Sequence, residues 1–126
     1  MGDFAIVDPE TVPAEPFPES GLDHRKLTER LGCREMRVNA ISLEPGDRTS
    51  PHAHESQEEA YVSLDGGLVE IDGQPHEVPA GGVVRIGPTV VRSVRNETDG
   101  TSQRWLMVGA PPTGTIEDFG EYRMPD

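Results

Sequence analysis

The stretch PHAHESQEEAYVSLDGG, Pro51–Gly67, sets His52 and His54 two residues apart, follows them with Glu58 and Glu59, and runs through β-prone AYVSL into an Asp-Gly-Gly turn. Residues at i and i+2 of extended backbone project to the same side, so both imidazoles can reach one ion. A carboxylate from the strand that follows completes a facial set of two His and one carboxylate. Such a set suits divalent Fe, Mn, Ni or Zn and leaves coordination positions open. The residues alone leave a second reading open, a solvated loop in which the H-x-H pair holds nothing.

Outward from this stretch, the chain from Glu35 divides into short β-prone runs with turn residues between them: MRVNAISL, RTSPHAH, EAYVSL, LVEI, QPHEV, VVRI, VVRSVRN and SQRWLMV. Strands at this spacing, punctuated by Gly, Asp and Pro, predict an antiparallel sandwich or barrel. Before them lies MGDFAIVDPETVPAEPFPES, where prolines 9, 13, 16 and 18 fix φ and remove donors. That predicts an extended arm over residues 1–20, with Phe4, Ile6 and Phe17 free to pack. In SGLDHRKLTERLG, Leu27 and Leu31 share a face and Gly32 can stop a helix, so one short helix is expected, with His24 solvated on it. Residues 21–112 read as one barrel domain and 113–126 as an irregular tail whose Ile116, Phe119, Tyr122 and Met124 can cover an edge.

With 126 residues, one domain is the expectation. Cys33 is the single cysteine, which excludes an intramolecular disulfide and a thiolate-rich zinc site. Twenty-three acids against 11 bases, only one of them lysine, give a formal charge of -12. That balance argues against nucleic acid as partner, since phosphates would be repelled. Acidity with almost no lysine is similar to halophilic surfaces, where salt well above 1 M shortens the Debye length to roughly 3 Å. No apolar run approaches a membrane span, and the N-terminus lacks a basic region followed by an apolar one, so a cytoplasmic protein without membrane contact is expected.

Gly46, five residues, His52-x-His54, four residues, Glu59, six residues, Gly66: this spacing resembles the first motif of the cupin family. Together with the strand pattern the resemblance covers about residues 36–110, and the short segment from Gly67 to Ala80 is similar to that of small single-domain cupins. It implies an all-β double-stranded β-helix, or jelly roll, preceded by the arm and the short helix. It also implies a metal held by His52, His54 and Glu59. In the second motif Gly81 and Asn96 match, but Gly87 stands where Pro is usual, Thr89 where Gly is usual, and Arg92 where the fourth ligand, a His, belongs.

A guanidinium has no lone pair to give, so Arg92 cannot be that ligand. Val90, Arg92 and Val94 share one phase of their strand, consistent with an inward Arg92 that must be paired. It either pairs with Glu59 or faces the open positions and clamps an anionic ligand. Alternation sets up a conflict at Glu59, because Ala60, Val62 and Leu64 form the apolar phase and Glu59, Tyr61 and Ser63 the polar one. With Glu59 inward, as the resemblance implies, the apolar phase faces out and needs the arm or a second subunit as cover, and a homodimer is expected. Glu58 is the rival carboxylate, but it leaves Gly66 one residue too far.

Among the remaining residues, Gln57 and Tyr61 join Arg92 as expected substrate contacts, with Trp105 and Met107 as further cavity residues, while His76 reads as a surface histidine. Catalytic residues are not assigned. The resemblance implies a dioxygenase- or isomerase-like enzyme acting on a small organic molecule. The competing reading is a non-catalytic, metal-free module that binds or senses a small anion with Arg92 in the metal's place. A third is a structural dimer with a vestigial site.

Overall fold

The computed structural model describes residues 2–17 and 20–112. After a 3-10 turn at Pro9–Thr11 come β1 (Glu15–Pro16), β2 (Asp23–Lys26), α1 (Thr28–Leu31) and β3 (Arg37–Leu43). The barrel continues with β4 (Glu58–Ser63), β5 (Gly67–Ile71), β6 (Gln74–Val78), β7 (Val83–Ile86), β8 (Arg92–Arg95) and β9 (Gln103–Ala110). One sheet has the order β1-β2-β3-β9-β4-β7 and the other β6-β5-β8. Every strand pairing among the described residues is antiparallel, as the turn-punctuated runs predict. This is the jelly roll expected. RTSPHAH forms no strand of its own, yet the bridges Arg48↔Arg95 and His52↔Arg92 lay it along β8.

Between the sheets lie Ile41, Leu43, Tyr61, Val69, Val78, Ile86, Val94 and Trp105, all buried. Each large side chain removed from water contributes roughly 1.5–3 kcal/mol, so this layer holds the two sheets together. On the outer face of the larger sheet Val12 and Leu27 pack with Val38, flanked by Val7, Leu31, Ala40, Leu106 and Val108. The arm and the helix thus cover the outward phase of β3 and β9. β4 turns Glu59, Tyr61 and Ser63 inward, with Tyr61 and Ser63 buried, while Leu64 at the end of its outward phase stays exposed.

Two expectations are corrected. The helix is a single turn ending at Gly32, in left-handed conformation (φ 77°), and the residues before it form β2. Its pairing with β3 overrides helical spacing: His24 stands opposite Ile41, is 2% exposed, and stacks on Phe17 with centroids 4.2 Å apart. It is a core residue and not a solvated one. Of the arm residues, Phe17 packs on the core, whereas Phe4 and Ile6 are 73% and 90% exposed. The tail from 113 onward lies outside the described residues. No helix among the described residues is long and apolar enough to cross a membrane.

Candidate metal centre

Backbone pairing positions the two histidines. His52 N–H donates to Arg92 O at 3.0 Å and Arg92 N–H returns to His52 O at 2.9 Å, while His54 N–H donates to Pro88 O at 2.7 Å. Their rings meet edge to face, centroids 5.1 Å apart. Glu59 enters from the larger sheet, between Gly109 of β9 and Ile86 of β7. One donor atom from each of His52, His54 and Glu59 lies within 4.8 Å of the others. A metal at about 2.1 Å from each ligand sets neighbouring donors roughly 3 Å apart, so a small side-chain contraction closes the site.

The tautomer of His52 suits this role. Its Nδ1–H donates to Ser50 O at 3.1 Å, which leaves the lone pair on Nε2. Burial pushes its pKa down to about 4, against the pull of Glu59, so the ring is neutral at pH 7. Burial alone would raise the Glu59 pKa; the hydrogen bond from His54 and the field of the groups around it outweigh burial and hold the carboxyl below its ordinary value. It is a carboxylate at neutral pH.

Of the two orientations open to Arg92, the structure has the pairing with Glu59. Arg92 is fully buried, its Nη1 donates to Glu59 Oε1 at 2.6 Å, and its Nη2 donates to Gly87 O at 2.6 Å. Tyr61 Oη donates to the same Oε1 at 3.1 Å, and His54 Nε2 lies 3.2 Å from it. Arg92, Tyr61 and His54 all approach Glu59 at the same oxygen, Oε1. Glu58, by contrast, is exposed and faces Arg85 at 3.3 Å.

Next to these residues is a cavity of about 50 Å³, with Tyr61, Gln57 and Met107 in its wall and Phe17 of the arm at its edge. Arg92 is not among its lining residues, Trp105 lies in the core against Tyr61, and His76 is exposed. Arg37 and Asn39 are among the lining residues that escaped the reading of the sequence. The signal was there: both share the phase of Ile41 and Leu43 on β3, so they are polar residues on a core-facing phase.

Residues 40–109 match the family described as Cupin domain. Over 49 residues the chain is 43% identical to dimethylsulfoniopropionate lyase DddW of Ruegeria pomeroyi; the match takes in 38% of this chain and about a third (32%) of that relative's length. A cupin from Silicibacter pomeroyi described as a sugar phosphate isomerase superimposes with TM-score 0.73 at 21% identity, covering 84% of this chain and 75% of that one. A Thermotoga maritima structure described as a predicted oxalate decarboxylase gives TM-score 0.72 at 20% identity over 85% and 99%. A Klebsiella pneumoniae protein with a double-stranded β-helix domain gives 0.74 at 14% over 96% of each chain. At these identities the structural likeness establishes the fold alone.

Proposed function

The chain belongs to the cupin domain family, and we propose that His52, His54 and Glu59 hold one divalent metal ion (Fe, Mn, Ni or Zn) beside a cavity for a small anionic organic molecule. One observation carries this reading: three donor groups converge within 4.8 Å, with the His52 tautomer set for ligation by Ser50. When bound, the metal supplies a Lewis acid that polarises an oxygen of the ligand. The protein's own residues do the rest. Arg92 and the Tyr61 O–H orient Glu59, while Tyr61 and Gln57 line the cavity. Turnover of isomerase or lyase type fits such a site, and the partial match to a lyase supports it without specifying the substrate.

Mn(II) titrated into chelator-treated protein tests the reading. Saturable binding that raises the thermal midpoint in wild type and vanishes in His54→Ala is expected; equal behaviour of both proteins contradicts it.

A second reading is favoured by the 2.6 Å contact of Arg92 with Glu59, in which the guanidinium already neutralises the carboxylate and the cavity takes an anion without metal. On the outer face Leu64 and Val83 stay exposed, and there we place the contact of a homodimer, to be read by sedimentation at high and low salt.

A further inference from the structure

We propose that Asp72, an exposed residue in the turn between β5 and β6, is a positioning residue for the candidate metal centre. It holds the far end of the loop formed by residues 87–91, and the carbonyls of that loop set His54 and Arg92. The inference deepens the metal reading given above and rests on it for the effect on metal binding.

The turn alone does not call for this side chain. Asp72 and Gly73 join β5 to β6 with φ positive at both, 47° and 85°. Two-residue hairpins of that kind accept Asn, Asp or Gly at the first position, so any of the three would close it. What Asp72 adds lies across the smaller sheet. β5 pairs with β8 as far as Ile71 opposite Arg92. One step beyond that pair, Asp72 N–H donates to Val91 O at 2.9 Å and Asp72 Oδ1 accepts from Val91 N–H at 3.2 Å. The side chain thus carries the grip of the ladder one residue further, onto the loop.

That loop bears on two of the site's groups at once. Pro88 O accepts the His54 N–H at 2.7 Å, and Gly87 O accepts Arg92 Nη2 at 2.6 Å, with Pro88 O 3.4 Å from the same nitrogen. Arg92 Nη1 reaches Glu59 Oε1, and His54 Nε2 lies 3.2 Å from that oxygen. Two candidate ligands, His54 directly and Glu59 through Arg92, are therefore tied to a pair of consecutive carbonyls. Val90 N–H closes the loop on Gly87 O at 3.3 Å, and none of residues 87–91 is fully buried. Hydrogen bonds at the loop's two ends consequently weigh heavily in where its carbonyls stand. The first end follows from β7, whose Ile86 pairs with Glu59; the second is held by Asp72. Metal–ligand distances tolerate only about 0.2 Å, and groups behind the ligands change metal affinity by about 10–100-fold. Because Asp72 acts through the loop, its effect belongs at the lower end of that range.

Wild type, Asp72→Asn and Asp72→Gly separate the carboxylate from the turn. Asparagine keeps an Oδ1 acceptor and tolerates positive φ, whereas glycine keeps the φ and drops the acceptor. Amide hydrogen exchange is read by NMR on the metal-free full-length proteins, and Mn(II) binding by electron paramagnetic resonance. In Asp72→Gly the His54 amide is expected to exchange about tenfold faster, beyond any change at the amides of β9. Mn(II) should bind that variant about tenfold more weakly, with Asp72→Asn within about threefold of wild type. His54 exchange that moves only in step with β9, Asp72→Asn behaving like Asp72→Gly, or equal Mn(II) affinity in wild type and Asp72→Gly overturns the proposal. If wild type takes up no Mn(II) while His54 exchange responds as described, the metal reading falls and the positioning of His54 by Asp72 stands.

Discussion

Arg92 Nη1 lies 2.6 Å from Glu59 Oε1, with no part of the arginine exposed. Removing one partner of a buried pair leaves the other charge uncompensated, at a cost of about 3–5 kcal/mol. Arg92→Met should lose that much stability in urea unfolding without metal. A divalent ion should restore more stability to the variant than it adds to wild type, because it then supplies the missing positive charge. Arg92→His should bind metal more tightly than wild type, since a fourth lone pair replaces a cation.

The His52 ring sets a pH dependence with a definite sign. Its folded pKa, about 4, lies below its ordinary 6.5, so between these values the unfolded chain binds more protons than the folded one. The stabilisation is present in full above pH 6.5 and is lost as pH falls toward 4, by at most ~3 kcal/mol. Glu59, held below 4.5, adds its own loss only beneath that value. Unfolding of metal-free protein at pH 7 and pH 4.5 should show the fall in wild type and a flatter profile in His52→Gln.

Gly109 faces Gln57 too closely to carry a methyl group. Overpacking of this kind costs about 1–3 kcal/mol, and here it also pushes the Gln57 amide out of its place in the cavity wall. Gly109→Ala should be destabilised by that amount, and pairing it with Gln57→Ala should recover part of the loss. A double-mutant cycle reads the coupling directly.

Asn96 is held by four side-chain hydrogen bonds. Nδ2 donates to Leu43 O at 2.9 Å and Thr101 O at 2.7 Å, and Oδ1 accepts from Thr98 N at 2.9 Å and Thr98 Oγ1 at 2.7 Å. Asn96→Ala leaves buried groups unsatisfied and should cost about 2–4 kcal/mol. Metal binding at the remaining folded population should be unaffected, which separates the structural part of the second motif from its ligand position.

Strand spacing made an antiparallel sandwich or barrel readable from the residues, while the jelly roll and the place of Glu59 beside His52 and His54 came from the resemblance to cupins. Gly46 and Gly66, both at φ 89°, mark turns that open and close the first motif, so their spacing carries geometry as well as resemblance. What stayed illegible depended on tertiary contact. Leucine spacing in residues 22–31 mimicked a longer helix, because nothing local reveals that His24 pairs across to Ile41. Alternation on β4 pointed Glu59 outward, since periodicity cannot report that the polar phase of a strand lines the inside of the barrel. Arg92 was placed inward by phase, but only the positions of Gly87 O and Glu59 Oε1 decide which way its fork turns.

The central claim, a metal held by three protein ligands beside a buried arginine, meets its most direct test in elemental analysis of protein purified without added metal or an affinity tag. The account predicts close to one divalent ion per chain in wild type and none in His52→Ala. Metal absent from both, or present equally in both, contradicts it.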